Sequence, residues 1–323
     1  MRYRTFGRTG WQVSEIGYGM WGMAGWTGSD DEESLRALDR ALTLGCNFFD
    51  TAWAYGQGKS ERLLGETLHA HDNPAVRVAT KIPPKNLKWP GRAEYPLEDV
   101  YPPDHIREYT EKSLQNLRVP AIDLQQFHVW SDAWADAIGW QRAIADLKRE
   151  GLIRAIGISI NRWEATNVMR ALETGLIDSV QVVYNIFDQA PEDELFPLCQ
   201  EMNVGVIARV PFDEGSLGGK MTLETRFPEG DWRVGYFGAE NLPQTIARVE
   251  KLKKILPAGM ALPEMALRFI LSHPAVSTTI AGMRKPEHVK QNIAASDKGP
   301  LDKNLLAELK KHRWDRKPRP WSD

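Results

Sequence analysis

The feature that most constrains this chain is an alternation repeated eight times: a short apolar, β-rich run, then an amphipathic helical stretch. The runs fall at 15–19, 47–50, 76–81, 124–129, 155–159, 179–184, 205–210 and 276–281. They do not alternate polar with apolar residues. They read as buried on both faces, as parallel strands covered by helices are. Helical patterns occupy 29–44, 61–69, 103–116, 138–150, 162–173, 192–202, 263–272 and 286–295. The first opens on a capping-box pattern, Ser29-x-x-Glu32, and Gly45 stands just past its end. Eight such units predict an α/β fold, a closed parallel (β/α)8 barrel, with residues 1–323 as a single domain. The rival is a doubly wound open sheet. Its phosphate loop would follow the first strand, where Gly17-Tyr18-Gly19-Met20-Trp21-Gly22 fits the pattern only loosely and no acidic residue stands where a ribose needs one.

Two segments exceed a minimal barrel. Residues 83–101 contain four prolines and no periodicity, and residues 211–243 carry six glycines. They read as long loops after strands three and seven, and loops of that kind are usually functional or disordered. The first dozen residues predict a hairpin outside the barrel, and residues 312–323 an extended tail. With 41 Lys and Arg against 43 Asp and Glu the net charge is −2, which argues against a nucleic-acid partner. The two cysteines, Cys46 and Cys199, form no CxxC pair, so neither a disulfide framework nor a zinc knuckle is expected and a reducing cytoplasm fits. MRYRTFGRTG has no apolar signal-peptide region, and no apolar run approaches the ~18 residues of a membrane span.

In closed barrels of this kind chemistry sits at the C-terminal ends of the strands. Strand two ends at Asp50, with Tyr55 in the loop beyond; strand three ends at Lys81 and strand four at His128. A carboxylate, a phenol, an ammonium and an imidazole therefore converge on one rim. An ordinary tyrosine, with a pKa of about 10, is too weak an acid for efficient proton transfer at neutral pH. Lys81 beside it would lower that value, Asp50 would hold Lys81, and His128 would donate to a substrate oxygen. The set suits a reaction in which hydride reaches a carbonyl carbon and the oxygen collects a proton. Each residue also has a bland reading: Asp50 as a helix cap, Tyr55 as a rim aromatic, Lys81 reaching to solvent, His128 as a satisfied core histidine. Four independent strand-end coincidences weigh against it. A metal reading is weaker, because only Asp50 and His128 are good ligands and three are normally wanted.

The run Gly45-Cys-Asn-Phe-Phe-Asp-Thr-Ala-Trp-Ala-Tyr-Gly, followed by Ser60-Glu61 and Leu64-Gly65, resembles a signature of the aldo-keto reductases. The likeness extends from RTFGRTGWQVSEIGYG to the region of Asn292. It implies the barrel fold, NADPH bound extended without a Rossmann domain, transfer of the pro-R hydride, and Asp50, Tyr55, Lys81 and His128 as the catalytic tetrad. By the same likeness Gly19, Met20 and Trp21 border the nicotinamide, with Asp50 beside them, and Ser159 and Gln181 hold its carboxamide. Pro211, Phe212, Gly215, Ser216 and Lys220 run along the pyrophosphate. Gly282, Met283, Arg284, His288, Gln291 and Asn292 form the adenosine end. Apart from the likeness, a cation at a helix start just after the last strand would bind phosphate.

Three positions depart from the family pattern. Ile160 stands where an asparagine is usual, and Asn161 follows it as a substitute contact. Arg209 replaces the aromatic that stacks under the nicotinamide, and its planar guanidinium can stack similarly. Gln291 stands where many members carry an acid. Trp21, Trp53, Trp130 and Trp321 are candidates for an aromatic wall of the substrate pocket. The expectation is reduction of an aldehyde or ketone to an alcohol by NADPH, with a small-molecule substrate and no nucleic-acid or membrane partner. The alternatives are an NADPH-binding regulatory protein, similar to potassium-channel β-subunits, with little turnover, and a metal-dependent barrel hydrolase.

Overall fold

A computed structural model describes residues 1–25, 29–71 and 73–317. Among the described residues ten strands are present: β1 Tyr3–Thr5, β2 Gln12–Ser14, β3 Ile16–Gly19, β4 Phe48–Asp50, β5 Arg77–Ile82, β6 Ile122–Phe127, β7 Ile153–Ser159, β8 Ser179–Val183, β9 Gly205–Arg209 and β10 Thr278–Gly282. Strands β3 to β10 are all parallel and close into a barrel, β10 pairing with β3. The alternation predicts this architecture, and the doubly wound sheet is excluded. β1 and β2 pair antiparallel, as the predicted hairpin outside the barrel.

The helices are α1 Asp31–Thr43, α2 Lys59–Ala70, α3 Leu97–Val100, α4 Pro103–Leu117, α5 Ile138–Arg149, α6 Met169–Glu173, α7 Leu195–Glu201, α8 Arg233–Tyr236, α9 Asn241–Lys254, α10 Leu262–Leu271, α11 Pro286–Asp297 and α12 Lys303–Lys310. No helix among the described residues is long and apolar enough to cross a membrane.

Three helical expectations need correction. The cap of α1 is Asp30, not Ser29: its carboxylate accepts from Glu33 N at 2.7 Å, one residue beyond the predicted box. The helix predicted over 162–173 survives only as α6. Trp163 sits at φ 59°, outside helical space, and Asn161 and Asn167 bind the Gly91 and Trp130 carbonyls and the Glu164 carboxylate, tying this segment to the neighbouring loops. Helices α9 and α12 had not been anticipated. α9 buries Val249 and Leu252 beneath the long loop after β9.

The barrel interior is layered. Phe48, Ala79, Leu124, Ala155, Ile207 and Ile280 fill its lower half, and Phe6 and Val13 of the hairpin plug the end. Side chains two apart on a strand share a face. The layer above this apolar floor is therefore Asp50 over Phe48, Lys81 over Ala79, Gln126 over Leu124 and Arg209 over Ile207. A polar platform results at the mouth, made of strand-end residues.

Candidate active site

The polar platform is densely bonded. Lys81 is fully buried, and its Nζ donates to Asp50 Oδ1 at 2.5 Å, to the Thr51 carbonyl at 2.7 Å and to the Tyr55 hydroxyl at 3.4 Å. The other carboxylate oxygen of Asp50 accepts from Gln181 Nε2 at 2.7 Å and Gln126 Nε2 at 3.1 Å. The buried ion pair is thus enclosed by donors that satisfy the carboxylate, the condition under which such a pair can be tolerated. Gln126 was not singled out in the sequence, though it lies two residues before His128, near the end of β6.

Tyr55 follows β4 in a turn and lies edge-on to His128, ring centroids 5.6 Å apart. Burial raises the phenol's pKa. Lys81 and Arg209 pull it down and Asp50 pushes it up, and the net effect is a rise. Lys81 lowers the value as expected, but desolvation outweighs the ammonium, so the net shift is a rise and the phenol stays protonated through the neutral range. Burial also opposes the Lys81 ammonium, but the charges of Asp50 and Tyr55 and the hydrogen bonds to both together more than compensate, and the pKa is raised. His128 is driven well below its ordinary value by burial, then by Lys81 and Arg209, so its imidazole is neutral. Its Nδ1 is buried without a partner. A buried N–H lacking an acceptor is costly, so the proton resides on Nε2, the nitrogen that is not enclosed.

Arg209 ends β9 on the same rim and donates through Nη2 to the Ile160 carbonyl at 3.0 Å. Gly19 and Gly282 are paired neighbours on β3 and β10. Trp21 is 41% exposed and lies edge-on to Trp232 of the long loop, centroids 6.2 Å apart. Ser159 lies beside Gln181 across the β7–β8 pairing. Phe212 and Gly215 are half-buried and Lys220 exposed, while Ser216 is buried and donates to Asp213 at 2.7 Å.

Just after β10, α11 begins with no side-chain cap and with proline in its first turn. His288 there is held below its ordinary pKa by burial, then by Lys285, Lys220 and Arg284, with Glu287 opposing. Three cations around an uncapped helix start make a site fit for a phosphate. Gly22 leaves room for the Arg284 stem: a Cβ there would come within 3.0 Å of Arg284 Cδ. Asp231 also senses Arg284. Gln291 is exposed and Asn292 buried one and a half turns along the helix. This chain's residues therefore fit an anionic dinucleotide laid from β3 and β10 to α11.

Several expectations are corrected. Trp130 is fully buried, packed edge-on against Trp134 and Trp140, and cannot wall an open pocket. Trp53 packs on Tyr109 of α4 with centroids 4.7 Å apart, outside the platform. Asn161 gives its Nδ2 to Gly91 O, Trp130 O and Glu164, so it ties loops together rather than presenting its amide donor to a ligand. Met20 and Met283 bury their side chains completely, leaving only backbone for a ligand. Trp321 lies outside the described residues. The sequence reading missed Trp89. It is 42% exposed and stands edge-on to His128 at 4.6 Å, brought there by the proline-rich loop whose length was the signal.

A model of the aldo/keto reductase family matches residues 15–313. The oxidoreductase YqkF of Bacillus subtilis is 31% identical over 317 residues, covering 97% of this chain and 96% of its own. The NADH-specific methylglyoxal reductase of Escherichia coli is 29% identical over 312 residues, 91% of this chain and 93% of its own. Among solved structures, aldo-keto reductase AKR11C1 of Bacillus halodurans in its holo form superposes with a TM-score of 0.77 at 29% identity, over 100% of both chains.

Proposed function

The chain belongs to the aldo/keto reductase family, and from that premise we propose that it reduces aldehydes or ketones to alcohols with NADPH, Tyr55 supplying the proton. The observation that carries the reading is the buried Asp50–Lys81 pair set against the Tyr55 hydroxyl, with His128 beside it. NADPH, when bound, supplies the hydride. Gly19, the backbone of Met20, Trp21, Ser159, Pro211, Phe212, Gly215, Ser216, Lys220 and Gly282 line its course, and Arg284, His288, Gln291 and Asn292 receive its adenosine end.

The chain's own residues divide the remaining work. Tyr55 holds a proton on its hydroxyl at neutral pH and passes it to the substrate oxygen. His128, neutral and protonated on Nε2, donates a hydrogen bond that fixes the same oxygen. Lys81 steadies the phenolate left behind, and Asp50, held by Gln126 and Gln181, keeps Lys81 in place. Trp89 beside His128 and Trp21 across the mouth limit water and present apolar faces to the substrate. Both cysteines are buried thiols, compatible with a reducing cytoplasm. The testing experiment is NADPH consumption across aldehydes, ketones and sugars. Turnover with none of them, by protein that binds NADPH, would favour a regulatory binding protein instead.

Coenzyme choice gives a sharper check. Charge-assisted hydrogen bonds are worth roughly 1.5–3 kcal/mol, so Arg284→Ala should weaken NADPH by about tenfold while leaving NADH unchanged, measured by quenching of tryptophan fluorescence. An equal loss for both coenzymes would remove Arg284 from the 2′-phosphate. Arg209 is a second check. Its charge already acts on Tyr55 and His128, and a nicotinamide lying near those groups would feel it too. Arg209→Tyr removes a like charge from oxidised nicotinamide, so the affinity for NADP+ relative to NADPH should rise by about threefold or more. An unchanged ratio means that Arg209 acts only on Tyr55, His128 and the Ile160 carbonyl.

A further inference from the structure

After β9 the chain takes a course that side chains rarely permit. Val210 (φ 58°), Asp213 (φ 42°) and Glu214 (φ 56°) are left-handed before Gly215 (φ 102°). A β-branched residue in that region is an outlier. Each position is held from outside the loop. The Val210 carbonyl accepts from Asn185 Nδ2 at 3.1 Å, and the same amide is anchored on Asp188 at 2.9 Å. Glu214 pairs with Arg162 from the segment after β7. Asp213 accepts from Ser216 at 2.7 Å, from the Tyr236 hydroxyl at 3.0 Å and from Arg316 Nη2 at 2.8 Å.

Arg316 is the group common to the anchors of Val210 and Asp213. It belongs to the segment after α12, which was expected to be an extended tail; instead Trp314 N donates to the Phe187 carbonyl at 2.8 Å. The guanidinium grips Asp188 through Nε at 3.1 Å and again through Nη2, and donates to the Tyr236 hydroxyl at 2.8 Å. It lies against the Trp163 and Trp314 rings, 4.8 and 4.7 Å from their centroids. Side-chain exposure is 4% for Arg316, 5% for Asp188 and 0% for Asp213. Burial pushes the Asp213 pKa up, but Arg316 and the hydrogen bonds around it outweigh this and keep the carboxyl below the ordinary range. A buried ionic cluster of this kind is weak as a source of stability and is best attested as a device for specifying one conformation. Here the conformation it touches is the course of residues 210–214.

We propose that Arg316 is a positioning residue: from the C-terminal segment it holds the loop 211–220 in its left-handed course, so that the loop is shaped for a dinucleotide before one binds. The proposal rests on the dinucleotide-binding reading of that loop. Its consequence is kinetic. A pre-shaped loop loses little freedom on binding and releases its ligand slowly, while the chemistry at Tyr55 is untouched.

The test compares wild type, Arg316→Gln and the double variant Asp188→Asn with Arg316→Gln, which removes the Asp188 charge and leaves Asp213 as the one carboxylate deprived of Arg316. Hydrogen exchange is followed in the dinucleotide-free full chain, NADPH release by stopped-flow displacement, and hydride transfer by single turnover at saturating NADPH. In both variants amides of 211–220 should exchange about tenfold faster while those of β4 and β5 do not change. NADPH release should quicken by roughly fivefold with single-turnover rate preserved. Unchanged exchange at 211–220 in either variant overturns the proposal. So does acceleration spread evenly through the barrel, which marks a purely structural role, or a fall in hydride-transfer rate matching the loss of affinity. If wild type binds neither NADPH nor NADH, the functional reading fails and the loop's role in dinucleotide binding with it. Exchange at 211–220 still decides whether Arg316 holds the loop.

Discussion

Tyr55→Phe should bind NADPH as wild type does and lose at least about a hundredfold in kcat, the lower end of what a positioned general acid contributes. The substitution removes one hydroxyl from a half-buried ring whose packing against His128 remains. It also deprives Lys81 of only the longest of its three contacts, at 3.4 Å, so the fold should be unaffected. The pH profile of the wild-type enzyme carries a second check. Burial raises the Tyr55 pKa from its ordinary value and Lys81 does not fully reverse this. The proton-donating form therefore persists across the neutral range, and kcat/KM for reduction should fall only in alkali, as pH passes the raised value. A profile that fell with a midpoint near pH 7 would point to another acid. Near-normal turnover in Tyr55→Phe would remove the residue from its role outright.

Lys81→Met should cost about 3–5 kcal/mol of stability, because breaking a buried pair leaves its partner's charge uncompensated. Asp50 would keep its bonds from Gln126 and Gln181 but lose both the ammonium and a donor at 2.5 Å. Adding Asp50→Asn to Lys81→Met removes the stranded charge and should recover more than half of the loss. Urea unfolding of the three proteins measures this, and a loss below about 1 kcal/mol in the single variant would mean that the Asp50 carboxyl is readily rehydrated or protonated. Lys81 is raised above its unfolded value by Asp50. The ammonium's contribution is accordingly undiminished from neutral pH to about pH 10.4 and disappears only as pH rises through the folded pKa. Neutral pH is the right condition for the comparison.

The contrast between Asp50 and Asn161 shows how far the sequence could be read. Asp50 ends β4, Lys81 is one residue short of the end of β5 and His128 one residue past the end of β6, and strand direction in a parallel barrel puts all strand ends on one rim, so their meeting follows from order along the chain. Asn161 also follows a strand end, yet its amide is taken up by Gly91, Trp130 and Glu164. Which loop carbonyls lie near it depends on how the segments after β5, β6 and β7 fold over one another, and nothing local to Asn161 encodes that. Trp130 fails for a similar reason. Two residues beyond His128, it turns inward onto Trp134 and Trp140 once the loop folds back.

The sequence by itself determined the eight-stranded parallel barrel, the rim on which its polar strand ends gather, and the resemblance that places a dinucleotide there. Short-range periodicity and strand order suffice for these, because a side chain's face is set every second residue along a strand. Only the tertiary structure decided the protonation of that rim. The Tyr55 pKa is the outcome of burial against the charges of Lys81, Asp50 and Arg209, and burial is a property of the whole packed barrel. Tertiary structure also decided the fate of the C-terminal segment. Its mixed Arg, Lys, Pro and Trp composition reads as an extended tail, but Arg316 finds Asp188 and Asp213, both buried and far from it in sequence, and a charge's partner across that distance is chosen by packing.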